Sequence, residues 1–496
     1  MISISKEFTK SFVWNFIEKN ALTVIGVFTS IIIARGLGPR NYGYYATILS
    51  VMSIIPFFIS LGLGNVLNIY MPKFYIKGDI SKVAFLIRSL LKIKLIVLTG
   101  FSIAFYYGAG YIADILGHSN LSFYFRLIIP LVALNQLIDI FSSMFSATLN
   151  NKPRVIINVA AAVITLIMSF IVLFYGFGIV GLLGTAVFVA FMSMLFYVVW
   201  SRNMVFVLPE KFTLTPLLKT GIVIWGASLL GFALGSQVDV VILNVFRVPI
   251  EQVGFYNLAF QLKTKMAFMT IGMGVLAQSV FSMTHSRDGN IQLAKAWELI
   301  LKLGIILIIP VAVFFFIYAK PIINVLYSSA YEPVVGLFRI YLLLTFFTLY
   351  NGESINPPIM FVLGKEKINF YLQAFVGISN IILDIILIPI MGVYGAVLAT
   401  VIAVSMFGFI GMGIVRSYIG VFPPLGYHLK ILVICMIASF SFLFYMPTGF
   451  AGIILSGTIY LITCIFLLYK FKLFTKEEKA MVKRIDKRFS IIIDRF

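Results

Sequence analysis

The sequence predicts an all-α, polytopic membrane protein with about 14 transmembrane helices. The chain has 496 residues, of which 61% are hydrophobic and only 11% are charged. A soluble protein of this length usually carries about 25% charged residues. Apolar runs of about 20 residues recur along the whole chain, and each is long enough to cross a bilayer as a helix. The strict alternation of apolar and polar residues that a membrane β-barrel needs is not found.

The individual spans follow from the apolar runs, which are separated by short segments that hold most of the Lys and Arg residues. The predicted spans, numbered 1 to 14, run roughly over 11–34, 44–70, 83–108, 123–146, 155–175, 179–200, 217–245, 255–284, 296–318, 335–361, 368–389, 393–415, 428–446 and 450–470.

The basic residues predict the orientation of the spans. The formal net charge is +20. Of the 38 Lys and Arg residues, 29 fall on one side of the predicted spans, six fall on the other, and Lys19, Lys263 and Lys265 fall at membrane depth. Short cytoplasmic loops carry such an excess, so both termini should be cytoplasmic. Nucleic-acid-binding proteins place their basic residues on a polar face or arm, so nucleic acid is not expected as a partner.

A weak internal repeat divides the predicted spans into halves at an offset of about 210–214 residues. The matching segments are 38–45 with 248–256, 112–127 with 323–340, and 178–181 with 392–395. Six spans separate the copies, so both halves have the same orientation and should be related by an axis along the membrane normal. We therefore expect two pseudo-symmetric six-helix lobes, 1–216 and 217–422.

The remaining segment, 423–496, should contain two further helices and a cytoplasmic tail. The tail from Lys470 is basic with interleaved Phe, Ile and Leu. This pattern favours a helix that lies along anionic headgroups, with a binding site for a partner protein as the alternative.

The sequence contains no pattern typical of an enzyme or a metal centre. Cys435 and Cys464 lie in apolar runs without a CxxC motif, and the three histidines are scattered. No P-loop or HExxH motif occurs. The external loops are about 15 residues or shorter, whereas a membrane polymerase or ligase usually needs a large external loop for its catalytic groups. We therefore expect a protein that is not an enzyme and that holds no metal.

Adjacent charges in the first span give the first indication of function. The 14 residues Ala21–Ala34 would span only about 21 Å, which is short of the ~30 Å hydrocarbon core. Glu18 and Lys19 must therefore lie within the membrane, where a charge costs roughly 2.5–3.5 kcal/mol unless it meets water or a partner. Asn15 shares their helix face. This face should line an aqueous cavity; an interhelical ion pair without a transport role is the alternative.

Other predicted spans repeat this pattern. The polar residues at membrane depth include Asp139, Asp239, Asn257, Gln261, Lys263, Lys265, Glu353 and Asp384. Charged groups in both halves, with the substrate in a cleft between them, are typical of alternating access. The lysines could bind an anionic headgroup such as a diphosphate. The carboxylates could pair with the lysines, or bind H⁺ or Na⁺.

Two sets of candidate residues follow. The predicted substrate-binding set, for diphosphate and sugar, is Asn15, Lys19, Asn257, Gln261, Lys263 and Lys265. The predicted cavity charges, with a role in ion coupling, are Glu18, Asp139, Asp239, Glu353 and Asp384. No catalytic residue is predicted.

Four segments resemble a known family. They are ARGLGPRNYGYY at Ala34–Tyr45, SLGLGN at Ser60–Asn65, VGFYNLAFQL at Val253–Leu262 and GVYGAVLAT at Gly392–Thr400. Together with the first span, they resemble the Wzx-type polysaccharide flippases of the multidrug/oligosaccharidyl-lipid/polysaccharide (MOP) exporter superfamily. The likeness extends to about residue 420 and is carried by hydropathy and glycines, so it supports the family more than a substrate.

The resemblance implies a two-lobe transporter of the cytoplasmic membrane with a cationic central cavity. Such proteins move undecaprenyl-diphosphate-linked oligosaccharide to the outer leaflet for surface polysaccharides, including the O-antigen of lipopolysaccharide. The implied partners are membrane lipid, this lipid-linked substrate and a polysaccharide polymerase or ligase. Lys19, Lys263 and Lys265 are the residues that would supply the positive charge of the cavity.

Several alternatives remain. A cation-coupled multidrug exporter of the same superfamily would favour carboxylates and aromatics without lysines in its cavity. A lipid II flippase would use cavity arginines, and spans 1, 2, 7 and 8 contain none within the membrane. The short external loops argue against a membrane polysaccharide polymerase or ligase, and a purely structural membrane protein would leave the buried charges unexplained.

Overall fold

The computed structural model describes residues 4–231, 235–266, 273–440, 447 and 449–471. Throughout these residues the chain forms helices and turns without a β-strand, which confirms the all-α prediction. The predicted basic tail lies outside the described residues from position 472 onward.

The described residues form 18 α-helices and the short 3₁₀ helix Ser329–Tyr331. The helices are α1 (Ile4–Ile59), α2 (Leu63–Tyr75), α3 (Ile80–Ile115), α4 (Leu121–Leu127), α5 (Ile129–Ala147), α6 (Asn151–Phe174), α7 (Gly178–Val205), α8 (Thr215–Gly231), α9 (Ser236–Val245), α10 (Ile250–Met266), α11 (Met273–Ile317), α12 (Ala319–Tyr327), α13 (Val334–Asn351), α14 (Asn356–Val362), α15 (Glu366–Met391), α16 (Val393–Ile419), α17 (Leu425–Phe440) and α18 (Gly449–Lys470).

The predicted spans fall on helix over most of the residues that the structure describes. Within the described residues, nine helical stretches are long and apolar enough to cross a membrane. The longest, Val13–Ile59, covers most of spans 1 and 2 because α1 continues from span 1 into span 2 and bends at Gly38, whose φ is 68°. The 36-residue helix α3 covers span 3. The polytopic architecture is therefore confirmed.

Spans 2 and 10 are among the predicted spans that form broken helices. Span 2 is interrupted at Ser60–Gly62, between α1 and α2, where Leu61 and Gly62 have φ values of 50° and 65°. Span 10 is interrupted between α13 and α14, where Gly352 has a φ of 68°. Pro357 and Pro358 follow the interruption and occupy the first turn of α14. Proline is tolerated at this position because a helix begins there.

The chain divides into two compact units, Met1–Asn257 and Leu258–Phe496. In the first unit, Leu67, Leu86, Phe145 and Tyr197 belong to one buried apolar cluster that joins α2, α3, α5 and α7. In the second unit, the buried core includes Trp297 of α11. The predicted lobe boundaries at 216 and 422 stay predictions.

In the first unit, two helices pack closely through a pair of glycines that are equivalent in the predicted internal repeat. Gly43 of α1 and Gly254 of α10 lie against each other: a Cβ on Gly254 would be 3.0 Å from the Gly43 nitrogen. A Cβ on Gly43 would be only 1.9 Å from the carbonyl oxygen of Ile250. Nearby, the Asn244 Nδ2 donates to the Thr47 Oγ1 at 3.1 Å. Glycine is required here because the two backbones approach closely.

Candidate functional site

Glu18 is held in a polar network between α1 and α6. Its Oε2 accepts a hydrogen bond from Nη2 of Arg154 at 2.7 Å, and its Oε1 accepts one from Nδ2 of Asn158 at 2.6 Å. Arg154 Nη2 also donates to Oδ1 of Asn15 at 2.7 Å. Glu18 is 8% exposed. The structure thus places Glu18 in an interhelical ion pair, while its neighbour Lys19 is exposed on the next position of α1.

The same network reaches α5 and α7. Arg154 Nη1 donates to Oγ of Ser146 at 2.6 Å, and the Tyr197 hydroxyl donates to Oδ1 of Asn158 at 3.0 Å. The Arg154 Nε is buried, and none of the described residues supplies it with a hydrogen-bond acceptor. Four helices are therefore joined through one guanidinium and one carboxylate, and both charges are compensated by polar partners.

Helix α5 presents one polar face. The face consists of Asn135, Asp139, Ser142, Ser143 and Ser146, which follow helical spacing; we call it the α5 polar face. Asn135 and Asp139 are exposed, and the three serines are half-buried. By contrast, none of the large apolar residues of α5 is exposed. Since an exposed carboxylate is expensive in hydrocarbon, the α5 polar face is suited to meet water rather than lipid tails.

Lys94 lies behind this face, in the interior of the first unit. It is 1% exposed, and it stands about 21 Å along α3 from the first residue of that helix. Its Nζ donates to the carbonyl oxygen of Ile59 at 3.2 Å and to Oε1 of Gln136. It also interacts electrostatically with Asp139. A lysine at this depth is therefore held by two acceptors and a carboxylate.

The second unit holds another lysine next to a carboxylate. Lys263 of α10 interacts electrostatically with Glu353, which lies in the interruption between α13 and α14. The Lys263 ammonium also lies 5.6 Å from the centre of the Phe260 ring. The Glu353 backbone nitrogen donates to Oδ1 of Asn351 at 3.1 Å.

Buried amides fix the shape of this interruption. The Asn356 Nδ2 donates to the carbonyl oxygen of Asn351 at 2.9 Å, and the Trp297 indole nitrogen donates to the Asn356 Oδ1 at 3.2 Å. Both asparagines are 1% exposed or less. The backbone of Glu353 is thus held at a defined position next to Lys263.

The other predicted residues are placed as follows. Asp239 is 1% exposed and accepts a hydrogen bond from the Tyr256 hydroxyl. Asn257 accepts one from the Tyr42 hydroxyl at 3.5 Å. Asp384 is buried and accepts one from Nδ2 of Asn380 at 3.3 Å. Gln261 and Lys265 are half-buried on α10, as is Lys263. The roles assigned to these residues stay predictions.

Two basic residues of these networks do not stand out in the sequence. Lys94 and Arg154 are among the 29 basic residues that predict the orientation, yet the structure buries the first and pairs the second with Glu18. The long helix α3 explains Lys94, because it begins at Ile80 and places residue 94 four turns into the bundle. For Arg154, the only sequence signal was its position at the start of a span, which also suits a loop.

Comparison with known proteins identifies the fold. The chain is similar to a multidrug resistance MATE family transporter of the MOP superfamily in an inward-facing conformation (TM-score 0.69, 16% identity, covering 80% of this chain and 94% of that one). It is similar to the lipid II flippase MurJ in an inward closed conformation (TM-score 0.69, 19% identity, covering 93% of this chain and 99% of that one). A MOP superfamily transporter from Pyrococcus furiosus is also similar (TM-score 0.56, 14% identity, 84% and 96% covered).

Sequence comparison identifies the family. No curated protein matches the chain. The model of the family described as polysaccharide biosynthesis protein matches residues 32–336, which is more than half of the 496-residue chain. The match agrees with the resemblance to Wzx-type flippases and with the MOP transporter fold. The chain therefore belongs to the polysaccharide biosynthesis protein family, as a polytopic membrane protein with the fold of MOP superfamily transporters.

Proposed function

We propose that the protein flips undecaprenyl-diphosphate-linked oligosaccharide across the cytoplasmic membrane by alternating access, for surface polysaccharide assembly. A polysaccharide polymerase or ligase would then receive the flipped substrate. The family match supports a role in polysaccharide synthesis. The observation that carries the proposal is the pair of lysines on α10, Lys263 and Lys265, which are half-buried within predicted span 8.

The chemistry of a diphosphate suits these lysines. An ammonium within a membrane span needs an anionic partner or water, and a lipid diphosphate brings negative charge to that depth. Lys263 lies beside Glu353, so one partner is already present in the second unit. A drug-binding cavity for cations would be weakened by the same positive charges. The lysines therefore favour an anionic lipid over a cationic drug as substrate.

Replacing both lysines should abolish export. In Lys263→Gln/Lys265→Gln, each lost charge-assisted hydrogen bond is worth about 1.5–3 kcal/mol, so surface polysaccharide should fall at least tenfold. The measurement is surface polysaccharide on gels from a deletion strain that carries each variant, with membrane levels of the protein compared by immunoblot.

Lys367→Gln is the matched control, since Lys367 is exposed in the first turn of α15. It should export normally. Normal polysaccharide in the double lysine variant would refute the role of these residues. Increased resistance to cationic drugs in the double variant, with polysaccharide unchanged, would instead support the multidrug exporter.

We further propose that H⁺ or Na⁺ drives the cycle through the membrane carboxylates. Asp139→Asn and Asp239→Asn keep the shape of each side chain but remove its charge, so each should abolish the stimulation of flipping by an ion gradient. Vesicles that contain the purified protein, with either an H⁺ or a Na⁺ gradient imposed, provide the measurement. A variant that responds to both gradients as the wild type does would have no coupling role.

A further inference from the structure

The interruption of span 2 has a positive charge at one of its helix ends. The last four carbonyl groups of a helix lack intrahelical donors and carry a partial negative charge. Ile59 is the last residue of α1, and its carbonyl oxygen accepts a hydrogen bond from the buried Nζ of Lys94. Gln136 of α5 supplies the second acceptor. Lys94 thus stabilises the end of α1 inside the bundle.

The other helix end of this interruption has a negative charge. Gly64 lies in the first turn of α2, and a Cβ placed there would be 3.2 Å from Oδ2 of Asp139. A carboxylate is favoured beside a helix N-terminus. The two charges differ in exposure: Lys94 is buried, whereas Asp139 is exposed on the α5 polar face. Only the carboxylate can therefore exchange a proton with water.

The second unit contains a comparable arrangement. Glu353 follows Asp139 by 214 residues, which lies within the offset of the repeat. It also lies at a helix interruption and interacts with a lysine, Lys263. Lys94 and Lys263 are not equivalent in the repeat, because they lie in span 3 and span 8. The carboxylate is thus the repeated element, and each unit supplies a lysine from a different helix.

We propose that Lys94 is a positioning residue that favours the ionised form of Asp139, and that Asp139 exchanges a proton with water at the α5 polar face. In this exchange Asp139 gives its proton to water and later recovers one, while Lys94 keeps its charge. The proposal rests on the proposed ion-coupled flipping and adds Lys94 and Gln136 to its machinery.

Five charged or titratable groups on helices packed against α5 have partners other than Asp139. They are Glu18 of α1 and Arg154 of α6, which bind each other, Tyr197 of α7, which donates to Asn158, Arg126 of α4, which donates to the Tyr106 carbonyl, and Lys73 of α2, which lies over the Tyr70 ring. Among the described residues, Lys94 is the charged group that acts on Asp139.

Infrared spectroscopy of the purified full-length protein in lipid vesicles tests the proposal. Lowering the pH should produce a carboxylic acid C=O band that is missing in Asp139→Asn. In Lys94→Gln the midpoint of this band should move to higher pH by about one to three units, because a nearby opposite charge has been removed. Lys94→Arg, which keeps the charge, should stay close to the wild type.

Lys92→Gln is the matched control, since Lys92 is exposed two residues away on α3, and it should leave the midpoint unchanged. If Lys94→Gln does not fold, Lys94→Met provides a second neutral side chain with the same expected shift. An unchanged midpoint in the folded neutral variant, or an equal shift in Lys94→Arg, would overturn the proposal.

A flipping assay separates this proposal from the proposed function. With undecaprenyl-diphosphate-linked N-acetylglucosamine as the probe, the pH optimum of proton-driven flipping should move upward in Lys94→Gln, whereas a purely structural role would lower the rate at every pH. If the wild-type protein flips no probe, the proposed function fails, while the infrared titration still decides whether Lys94 acts on Asp139.

Discussion

Removing the guanidinium of Arg154 is expected to destabilise the protein by about 3–5 kcal/mol, because it leaves the Glu18 carboxylate inside the bundle without its charge partner. In Arg154→Met, Glu18 would keep only the hydrogen bond from Asn158. The thermal unfolding temperature of the purified protein in detergent measures this loss. Arg202→Met, which removes an exposed arginine in the last turn of α7, is the control and should change little.

A double-mutant cycle identifies the interaction responsible. Glu18→Gln should also destabilise the protein, because Arg154 then keeps only Asn15 and Ser146. The double variant should be more stable than the sum of the two losses predicts, with a coupling of about 0.5–3 kcal/mol. Strictly additive losses would mean that the pair does not act as a unit.

The second large effect is expected at Gly43. In Gly43→Ala the new methyl group would lie 1.9 Å from the carbonyl oxygen of Ile250, so α1 and the beginning of α10 must move apart. Overpacking of this kind costs on the order of 3 kcal/mol. The variant should therefore be recovered in low yield and unfold at a lower temperature than the wild type.

Gly26→Ala is the matched control on the same helix. A Cβ at Gly26 meets no atom within 4 Å, so this variant should be as stable as the wild type, or more stable by up to about 1 kcal/mol from helix propensity. Equal stability of Gly43→Ala and Gly26→Ala would show that the contact of Gly43 with α10 is not maintained.

Hydropathy was sufficient to predict the helices but not their interruptions. Apolar runs predict where the helices lie because a bilayer-crossing helix is predominantly apolar. The interruption at Ser60–Gly62 lies inside such a run, in SLGLGN, and needs positive φ at Leu61 and Gly62. Leucine rarely adopts that conformation, so residue preference does not predict the break, at which Gly62 packs closely against Gly221.

The candidate site was predictable only in part. Glu18, Asp139, Lys263 and Glu353 stand out because a charge within an apolar run is expensive. Their partners do not stand out. Arg154 lies at the start of a span, where basic residues are common, and Lys94 follows Arg88 and Lys92 in a stretch whose basic residues suit a loop. The choice of Arg154 rather than Lys19 as the ion-pair partner of Glu18 is fixed by the packing of α1 against α6.

The contact between Gly43 and Gly254 also bears on the origin of the chain. In a homodimer with two-fold symmetry, a residue on the rotation axis touches the same residue of the other subunit. Gly43 and Gly254 resemble such a pair within one chain, because they are equivalent in the predicted repeat and lie against each other. A shorter ancestral protein that dimerised through this glycine would, after gene duplication and fusion, give the arrangement seen here.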